Sequence, residues 1–561
     1  MKAFLKKWMQ YFWFAFFFSL FINTLQLVFP VYMLLIYDKV LVSRSLPTLL
    51  TVTVGAVLAL SVMACLDFLR SRLLVRAGVA VDRTLTQPVI TEMVRDAARI
   101  DSNSYREGIL DINTLRNFLA GNAVFSFFDL PWVPIYIFAI YCMNAWLGWL
   151  ALGGACVLLV LGLAQEFLTG ERFTTAKTME RRSGQLVSLG LRNAEVITGM
   201  NMLPGLIKHW LRSQEQALWL QTNAYRFSSL FHSLSKSFRS GMQVFVYGVG
   251  AYLVLENETS AGVMIAASVI VRQALNPVEQ IMGAWKQSVE TRAAYKRLQQ
   301  LLEKAQTRKP MELPEPKGRL EVEGLGLALA GRPILGNVTF ALAPGESMGL
   351  IGPSGAGKSS LCRLLLGIWQ GTAGKVRLDG ADILSWDSDI LGRHIGYLPQ
   401  DVELFAGTVA ENIARMGEVE PDKVVEAATL AGVHETILRL HQGYDSQVGD
   451  LGAQLSGGQQ QLVGLARVFY GTPRLVILDE PTGTMDPITK LAVARSVLNA
   501  RKELGETFLI VSHDMDFVMN CCDRAVLMKD GKIVVAGEPK IIVDHLTESE
   551  TEEMLVESAS R

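Results

Sequence analysis

The sequence has few cysteines and no surplus of basic residues, and each shortage excludes a class of protein. Its six cysteines form no CxxC pair and have no histidine-rich neighbourhood, so neither a disulfide framework nor a zinc site is expected. Lys and Arg total 53 against 54 Asp and Glu, so nucleic-acid binding, which needs a basic surface, is not expected. At 561 residues the chain is too long for one compact core, and two or more domains are predicted.

Apolar residues are concentrated before about Gln280, whereas the remainder has the composition of a soluble α/β protein. About 20 mostly apolar residues cross a hydrocarbon core as one helix. This predicts six spans, at 11–36, 49–66, 124–141, 146–164, 242–255 and 261–275, the last two short and joined as a helical hairpin. The first stretch is too long for a signal peptide and lacks a cleavage site, so it is expected to remain as a transmembrane helix.

The distribution of basic residues predicts the orientation of these spans. Basic residues precede the first span and crowd the connector after the second, while the connectors after spans one, three and five offer little beyond Arg44. They are Lys2, Lys6, Lys7, Arg70, Arg72, Arg76, Arg83, Arg95, Arg99, Arg106 and Arg116. The N-terminus and the connectors at about 70–122 and 165–241 are therefore expected in the cytoplasm, the connectors as long helices that project from the membrane.

The predicted domain organisation has four parts. Residues 1–304 form a transmembrane domain with long cytoplasmic extensions, and residues 305–318, rich in proline and charge, form a linker. Residues 319–545 form a cytoplasmic α/β ATPase domain, and residues 546–561 an acidic tail. The predicted fold class is thus a six-helix membrane domain followed by an α/β P-loop domain.

The segment GPSGAGKSS predicts a phosphate-binding loop, because it follows the apolar run SMGLI and precedes a helical run. Its glycines allow backbone N–H groups to point at phosphate oxygens, while Lys358 adds a charge on the β- and γ-phosphates and Ser359 a hydroxyl on Mg²⁺. The predicted nucleotide-binding residues here are Gly352, Pro353, Ser354, Gly355, Ala356, Gly357, Lys358, Ser359 and Ser360. ATP and Mg²⁺ are the expected ligands.

The segment RLVILDEP supplies two carboxylates at the end of a predicted buried strand. Asp479 can hold the magnesium through water, and Glu480 can polarise an attacking water as a general base. Together with the P-loop, this pair predicts nucleotide hydrolysis.

The segment LSGGQ narrows the choice among P-loop proteins. Ser456, Gly457, Gly458 and Gln459 lie about twenty residues before the paired carboxylates, and here the soluble domain resembles the ABC transporter ATPases. The resemblance implies that Gln400 contacts magnesium and nucleotide in a Q-loop, that His513 contacts the γ-phosphate with a catalytic role, and that Asp486 belongs to a D-loop. One departure is that LGLALAGRPIL, before the P-loop, has no aromatic residue to stack on adenine, so strict preference for ATP over GTP is not expected.

The resemblance also implies a homodimer. In ABC transporters the signature serine closes over nucleotide held by a partner chain, and one copy of each motif with six spans is the composition of a half-transporter. The turns near 102–107 and 200–206 are where such exporters couple ATPase motion to the spans, although a plain polar turn between helices explains them as well.

Four stretches of the membrane half resemble the type I protein secretion ATPases, and most closely the PrtD-like group: FPVYMLLIYDKVL, ILDINTLRNFLAGNAVFSFFDLPWVPIYI, LRNAEVITGMNML and MIAASVIVRQALNPVEQI. No cysteine-peptidase domain precedes the first span, unlike in leader-cleaving bacteriocin exporters. The resemblance implies a bacterial inner-membrane protein that works with a periplasmic membrane fusion protein and a TolC-type outer-membrane channel. The substrate would be an unfolded polypeptide with an uncleaved C-terminal signal. A lipid or drug half-exporter and an ATPase that regulates a channel or membrane assembly are the alternatives.

The stretch FFDLPWVPIYIFAIY places an acid and two prolines at the start of the third span. Locally, Asp129 can cap a helix start, with Pro131 early in the helix and Pro134 deeper, where it should introduce a kink. Alternatively, the break shapes a cytoplasmic entry for the exported polypeptide, with Asp129 at its mouth.

Overall fold

The structure, a computed structural model, describes residues 2–99, 107–306, 311, 313–329, 331–449, 452, 454–471, 473–483, 485 and 487–542. It divides into two compact units. The helical unit comprises Met1–Ala97 with Ser102–Thr307, and the α/β unit comprises Ala98–Asp101 with Arg308–Arg561. The linker predicted at 305–318 and the tail at 546–561 lie partly or wholly outside the described residues.

The helical unit consists of twelve α-helices in the described part of the chain, with short π and 3-10 segments at Ile36–Val40 and Leu130–Trp132. The helices are α1 (Lys2–Gln26), α2 (Val28–Leu35), α3 (Leu41–Ser43), α4 (Leu46–Ala98), α5 (Gly108–Ala120), α6 (Asn122–Asp129), α7 (Val133–Met143), α8 (Ala145–Arg192), α9 (Ala194–Gly199), α10 (Leu203–Leu255), α11 (Ala261–Gly283) and α12 (Trp285–Gln306). The predicted long connectors are confirmed as helices: α4 and α10 each have 53 residues, about 80 Å, far more than a hydrocarbon core requires.

Five stretches of the described chain are long and apolar enough to cross a membrane, namely Met9–Ser43, Leu46–Ala98, Ala123–Met143, Ala145–Arg192 and Ala261–Gly283. The sixth predicted span, 242–255, forms the end of α10 but is not among them. Its 14 residues rise only about 21 Å, and Lys236 and Arg239 precede it. That span therefore depends on its packing against α8 and α11 rather than on its own length and hydropathy.

The predicted hairpin between α10 and α11 is confirmed. The Ser260 hydroxyl caps α11 by accepting the Val263 N–H at 3.1 Å. Asp38, in the π-helical turn that follows α2, accepts the Ser260 hydroxyl at 2.6 Å and the Gly262 N–H at 3.0 Å. A carboxylate is favoured at a helix N-terminus because it meets unpaired N–H groups and the positive end of the helix dipole. This contact, the Asp38 clamp, fixes the end of the first span to the beginning of α11.

The break at Pro131 is confirmed, but the expectation that Pro134 lies deeper and kinks the helix is wrong, and so is the interpretation of Asp129 as a helix cap. Asp129 is the last residue of α6, and its side chain makes no capping hydrogen bond. Pro131 lies in the 3-10 turn and Pro134 in the first turn of α7, where a missing N–H leaves no broken helical hydrogen bond. The carboxylate is instead used in a buried polar network described below.

The α/β unit contains two sheets. Its strands are β1 (Leu320–Leu329), β2 (Arg332–Leu342), β3 (Ser347–Ile351), β4 (Ala373–Leu378), β5 (Ala381–Asp382), β6 (Ile395–Leu398), β7 (Leu475–Asp479), β8 (Thr507–Val511), β9 (Arg524–Lys529) and β10 (Lys532–Gly537). An antiparallel sheet has the order β2-β1-β4-β5, and a larger sheet the order β10-β9-β3-β8-β7-β6, in which only β10 is antiparallel. Strands β3, β7 and β8 are buried along their whole length, as their continuous apolar sequences predict for a parallel sheet covered on both faces.

Helices cover both faces of the larger sheet. They are α13 (Lys358–Leu365), α14 (Ser388–His394), α15 (Val409–Ile413), α16 (Pro421–Leu430), α17 (His434–Leu438), α18 (Gly457–Phe469), α19 (Pro487–Leu504) and α20 (Met515–Cys521). One core fills the space between the two sheets and α13, and a second lies between the larger sheet and the helices from α15 to α20. The parallel strands thereby direct their C-terminal ends to one common edge.

Asp523 fastens the end of α20 to β3. Its carboxylate accepts the N–H and the hydroxyl of Ser347 at 3.0 and 3.1 Å and pairs with Arg501. Burial by itself would raise the pKa of Asp523, but the hydrogen bonds from Arg501 and Ser347 favour the ionised form, so that the pKa is lowered overall. This carboxylate therefore stabilises the junction in its charged state.

Candidate functional site

The predicted site residues of the α/β unit converge at the C-terminal edge of its larger sheet. The P-loop follows β3, Gln400 follows β6, Glu480 follows β7 and His513 follows β8. These four strands are consecutive in the order β3-β8-β7-β6. Because parallel strands end on the same side, their following loops meet at one crevice, the position where open α/β sheets bind ligands.

The P-loop requires glycine at two positions for different reasons. At Gly352 a side chain would meet the Met528 carbonyl oxygen at 2.1 Å, and Gly357, with φ of +96°, turns the chain into α13. The free N–H groups at the start of α13 then face the loop and favour anions. The Lys358 ammonium is largely buried and donates to the carbonyls of Gly352 and Pro353 at 2.8 and 3.0 Å. The loop therefore combines backbone donors with a fixed positive charge.

Asp479 and Ser359 form a site that fits Mg²⁺. The Asp479 side chain is buried, and burial raises its pKa, which a hydrogen bond from the Ser359 hydroxyl partly opposes. No described donor reaches Asp479 Oδ1. A buried carboxylate oxygen without a partner, beside a hydroxyl and a phosphate-binding loop, is the oxygen-rich environment that Mg²⁺ takes in nucleotide sites.

Glu480 is positioned by its backbone, and its carboxylate lies close to two other side chains. Its N–H donates to the Val511 carbonyl at 2.9 Å, and its φ of +52° is a left-handed conformation that non-glycine residues seldom adopt. Gln400 Nε2 donates to Glu480 Oε2 at 3.1 Å, and His513 Nδ1 lies 3.9 Å from Glu480 Oε1. The structure thus brings together Gln400, Glu480 and His513, which belong to three separate motifs.

Gln461 supports this arrangement and was missed by the sequence analysis. It is buried on α18, and its Nε2 donates to the Pro481 carbonyl at 2.8 Å and lies 3.5 Å from that of Glu480. The bond links the helix that begins at the signature to the strained residue at the end of β7. Its position four residues after Gly457 places it on the same helix face as that glycine, but sequence alone does not reveal its partner.

The signature residues lie at an exposed helix start. Ser456 caps α18 by accepting the Gln459 N–H, and Gln459 in turn accepts the Ser456 N–H at 2.9 Å. Ser456 and Gly457 are exposed, and within the described residues the hydrogen bonds of Ser456 stay at its own helix start. The N–H groups of Gly457 and Gly458 have no partner among the described residues and therefore remain available to an anion. Asp486 and the turn at 102–106 lie outside the described residues.

A polar network in the helical unit was also missed. Asp129 Oδ1 accepts from Asn23 Nδ2 at 2.7 Å and from Arg70 Nη1 at 3.0 Å. Arg70 also donates to Ser19 and to Asp67, both at 2.8 Å. Asn23 and Arg70 are 1% and 4% exposed. The buried positive charge of Arg70 is therefore compensated by the two carboxylates inside the unit, as buried ionic groups near a membrane must be. The spacing of Ser19 and Asn23, one helical turn apart in an apolar run, was the available signal.

Comparison with known proteins identifies relatives for both units. Residues 12–278 match the ABC transporter transmembrane region, and residues 335–483 match the ABC transporter family. The chain is 37% identical over 528 residues to the type I secretion system ATP-binding protein PrsD of Rhizobium meliloti, covering 92% of this chain and 90% of that one. It is 28% identical over 546 residues to the toxin RTX-I translocation ATP-binding protein of Actinobacillus pleuropneumoniae, covering 93% and 75%.

A solved structure shares the whole architecture. The structure of a bacterial Atm1-family ABC exporter with ATP bound matches with a TM-score of 0.79 over 96% of both chains, at 20% sequence identity. At that identity the similarity concerns the fold. The match nevertheless extends across both units, so the order of a helical unit and an α/β unit in one chain is that of an ABC exporter.

Proposed function

This chain belongs to the ABC transporter family as an ATP-hydrolysing, multi-pass membrane protein, and we propose that it is the ATPase and permease of a type I secretion system. The observation that carries the proposal is 37% identity across 90% of a type I secretion ATP-binding protein. The export substrate would be an unfolded polypeptide with a C-terminal signal. The similarity to the Atm1-family exporter, at 20% identity, concerns the fold and carries no information about the substrate.

We propose the following roles for the site residues. The N–H groups of residues 352–360 and Lys358 bind the phosphates, while Ser359, Asp479 and Gln400 hold Mg²⁺, which when bound offsets the charge of the β- and γ-phosphates. Glu480 accepts a proton from the attacking water, and its hydrogen bond from Gln400 orients the carboxylate. His513, close to the other carboxylate oxygen, donates to the γ-phosphate.

The exposed signature supports a homodimer in this proposal. The Ser456 hydroxyl and the N–H groups of Gly457 and Gly458 form an anion-binding helix start, and Gln459 closes the capping box behind it. In a dimer these donors, with Asp486, close over the γ-phosphate held by the partner's P-loop. ATP binding then joins the two ATPase domains, and hydrolysis separates them.

The proposed location is the bacterial inner membrane, with the N-terminus and the ATPase domain in the cytoplasm. Cytoplasmic orientation follows from the basic residues around the first two spans. A periplasmic membrane fusion protein and a TolC-type channel would complete the path across the envelope. We infer these two partners, as we infer that Asp479 and Ser359 hold Mg²⁺.

The test is secretion from a host that expresses the chain together with an adaptor, a channel and a candidate substrate encoded beside it. Secretion should be abolished by Glu480→Gln, because loss of a general base lowers hydrolysis by about 10²- to 10⁴-fold. Glu503→Gln, an exposed carboxylate on α19, is the matched control and should secrete normally. Deletion of the C-terminal segment of the substrate should also stop its secretion.

Two results would contradict the proposal. Secretion that continues at its normal rate with Glu480→Gln would exclude ATP-driven export by this chain. ATPase activity that is stimulated by lipids or drugs, combined with no dependence on the adaptor, would favour the lipid or drug half-exporter.

A further inference from the structure

The helical unit contains a cavity of about 940 Å³, here called the polar cavity, between α1, α4, α6, α11 and α12. Its volume is at the upper end of the range of ligand sites, about 300–1,000 Å³. Six carboxamide side chains line it: Asn23, Gln26, Gln273, Asn276, Gln280 and Gln287. This is an unusual lining for the interior of a membrane unit, where polar groups are costly unless they have partners.

The carboxamides follow helical spacing. Gln273, Asn276 and Gln280 are separated by three and four residues on α11, and Gln287 continues the series on α12. Such spacing places side chains on one face of a helix. The 14 positions from Gln273 to Gln287 correspond to about 21 Å, which is the length of about six residues of extended chain.

Several of these groups have unused hydrogen-bonding capacity. Asn276 makes no hydrogen bond to another described residue, and Gln273 Oε1 is buried without a described partner although its Nε2 donates to the Gln26 carbonyl at 3.1 Å. Ser126 donates to Gln280 Oε1 at 2.6 Å, and no described acceptor takes the Gln280 N–H groups. Donors and acceptors therefore both remain available along the stripe.

The three charged groups at the cavity, one arginine and two carboxylates, pair with each other and leave one net negative charge. Arg70 lies between Asp67 and Asp129, and its guanidinium also covers the Phe125 ring at 4.5 Å from the centroid. The large apolar side chains in the lining are Ile22, Met63 and Phe125. Polar and apolar groups contribute comparably to this wall, whereas sites for lipids or apolar drugs are lined predominantly by hydrophobic side chains.

We propose that the polar cavity binds the backbone of an extended polypeptide through its carboxamide side chains. Each peptide unit has one N–H donor and one C=O acceptor, and a carboxamide presents a matching acceptor and donor in one plane. Because carboxamides are neutral, they hold peptide groups without selecting the charge of the neighbouring side chains. The inference rests on the proposed function, polypeptide export, and adds that the substrate is recognised here by its backbone.

The test uses the full-length chain in lipid nanodiscs and three fluorescein-labelled 18-residue peptides, with binding measured by fluorescence anisotropy. Two peptides have unrelated side-chain sequences, and the third repeats the first with alternate backbone amides replaced by esters, which removes N–H donors and retains the side chains. The two amide peptides should bind with Kd values within about threefold of each other. The ester peptide should bind at least about tenfold more weakly, because several hydrogen bonds are lost.

Three variants extend the test. Asn276→Leu removes a carboxamide that has no described partner, so folding should be retained, and it should weaken both amide peptides by about 2- to 12-fold, the value of one neutral hydrogen bond. Gln299→Met, a carboxamide on α12 outside the cavity lining, should leave binding unchanged. Asn276→Asp adds a second net negative charge and should make binding depend more strongly on peptide charge, with an acidic peptide weakened more than a basic one.

The outcomes separate this inference from the proposed function. Equal binding of the amide and ester peptides, with no effect of Asn276→Leu, would overturn backbone recognition and leave polypeptide export standing. Absence of binding by any of the three peptides, with ATP hydrolysis intact, would overturn both. Unequal binding of the two amide peptides that follows their side chains would also contradict the inference.

Discussion

Truncation of Asn412 should loosen the segment that follows Gln400. It is fully buried on α15. Its Oδ1 accepts the Phe405 N–H at 2.8 Å, and its Nδ2 donates to the carbonyls of Phe405 and Thr408 at 2.9 and 3.0 Å. One carboxamide thereby replaces the regular backbone pairing that residues 401–406 lack.

The cost of Asn412→Ala follows from these contacts. Three neutral hydrogen bonds at about 0.5–1.5 kcal/mol each give about 1.5–4.5 kcal/mol, since their partners are left without compensation. A free energy of that size corresponds to a change of roughly 10- to 2,000-fold in an equilibrium constant. Because the loss is local, we expect the segment to open more often while the rest of the α/β unit stays folded.

The assay is hydrogen exchange of the full-length chain in detergent. Amide protection in 401–413 should fall by the factor given above, and the ATPase rate should fall because Gln400 loses its supporting segment. The matched control is Asn520→Ala, which removes a single exposed bond to the Asp516 carbonyl and should change local protection by less than about threefold. Protection in 401–413 that responds to Asn412→Ala no more than to this control would refute the reasoning.

Three further predictions concern other parts of the chain. Gln461→Met should lower kcat for ATP about fivefold with little change in KM, because one hydrogen bond that holds the turn after β7 is lost. Gln442→Met, an exposed control, should leave kcat unchanged. Equal kcat values for Gln461→Met and the unmodified chain would contradict a positioning role for Gln461. Gly262→Ala should lower the free energy of unfolding, measured by thermal melting in detergent, by about 2 kcal/mol, because its Cβ would lie 2.5 Å from Asp38 Oδ1. Gly248→Ala, which has open space around the added Cβ, should leave the melting unchanged. Because the pKa of Asp523 is lowered in the folded chain, its contribution is present above the usual value of 3.8 and is lost as the pH falls through the lower folded value. Asp523→Asn should therefore flatten the loss of stability on acidification below about pH 4, and an unchanged acid profile would contradict this assignment.

The ATPase residues were predictable because each lies in a short motif whose chemistry is local. A glycine loop between a buried strand and a helix can be recognised without knowledge of the rest of the chain, and so can two carboxylates at the end of an apolar strand. Their convergence also follows, since parallel strands share one edge. The left-handed backbone of Glu480 and its support by Gln461 could not be predicted, because they depend on contacts between α18 and the end of β7.

Asp129 shows where local reasoning failed. A cap is a local interpretation, since it requires only the N–H groups two or three residues later. The actual partners, Asn23 and Arg70, are 106 and 59 positions away, and no spacing rule connects them. Similarly, the span at 242–255 was predicted from hydropathy, whereas the structure places it at the end of a helix of 53 residues that packs against its neighbours.

The Asp38 clamp has a mechanical consequence for α11. Because one end of this 23-residue helix is tied to the first span, a tilt of the helix would have its pivot at Gly262, about 32 Å from Gly283. A tilt of about 10° around that pivot would displace the far end, near Gly283, by about 6 Å. Three of the six carboxamides of the polar cavity, Gln273, Asn276 and Gln280, lie on the outer half of α11, so a small rotation at the pivot would be amplified where the polypeptide would be held.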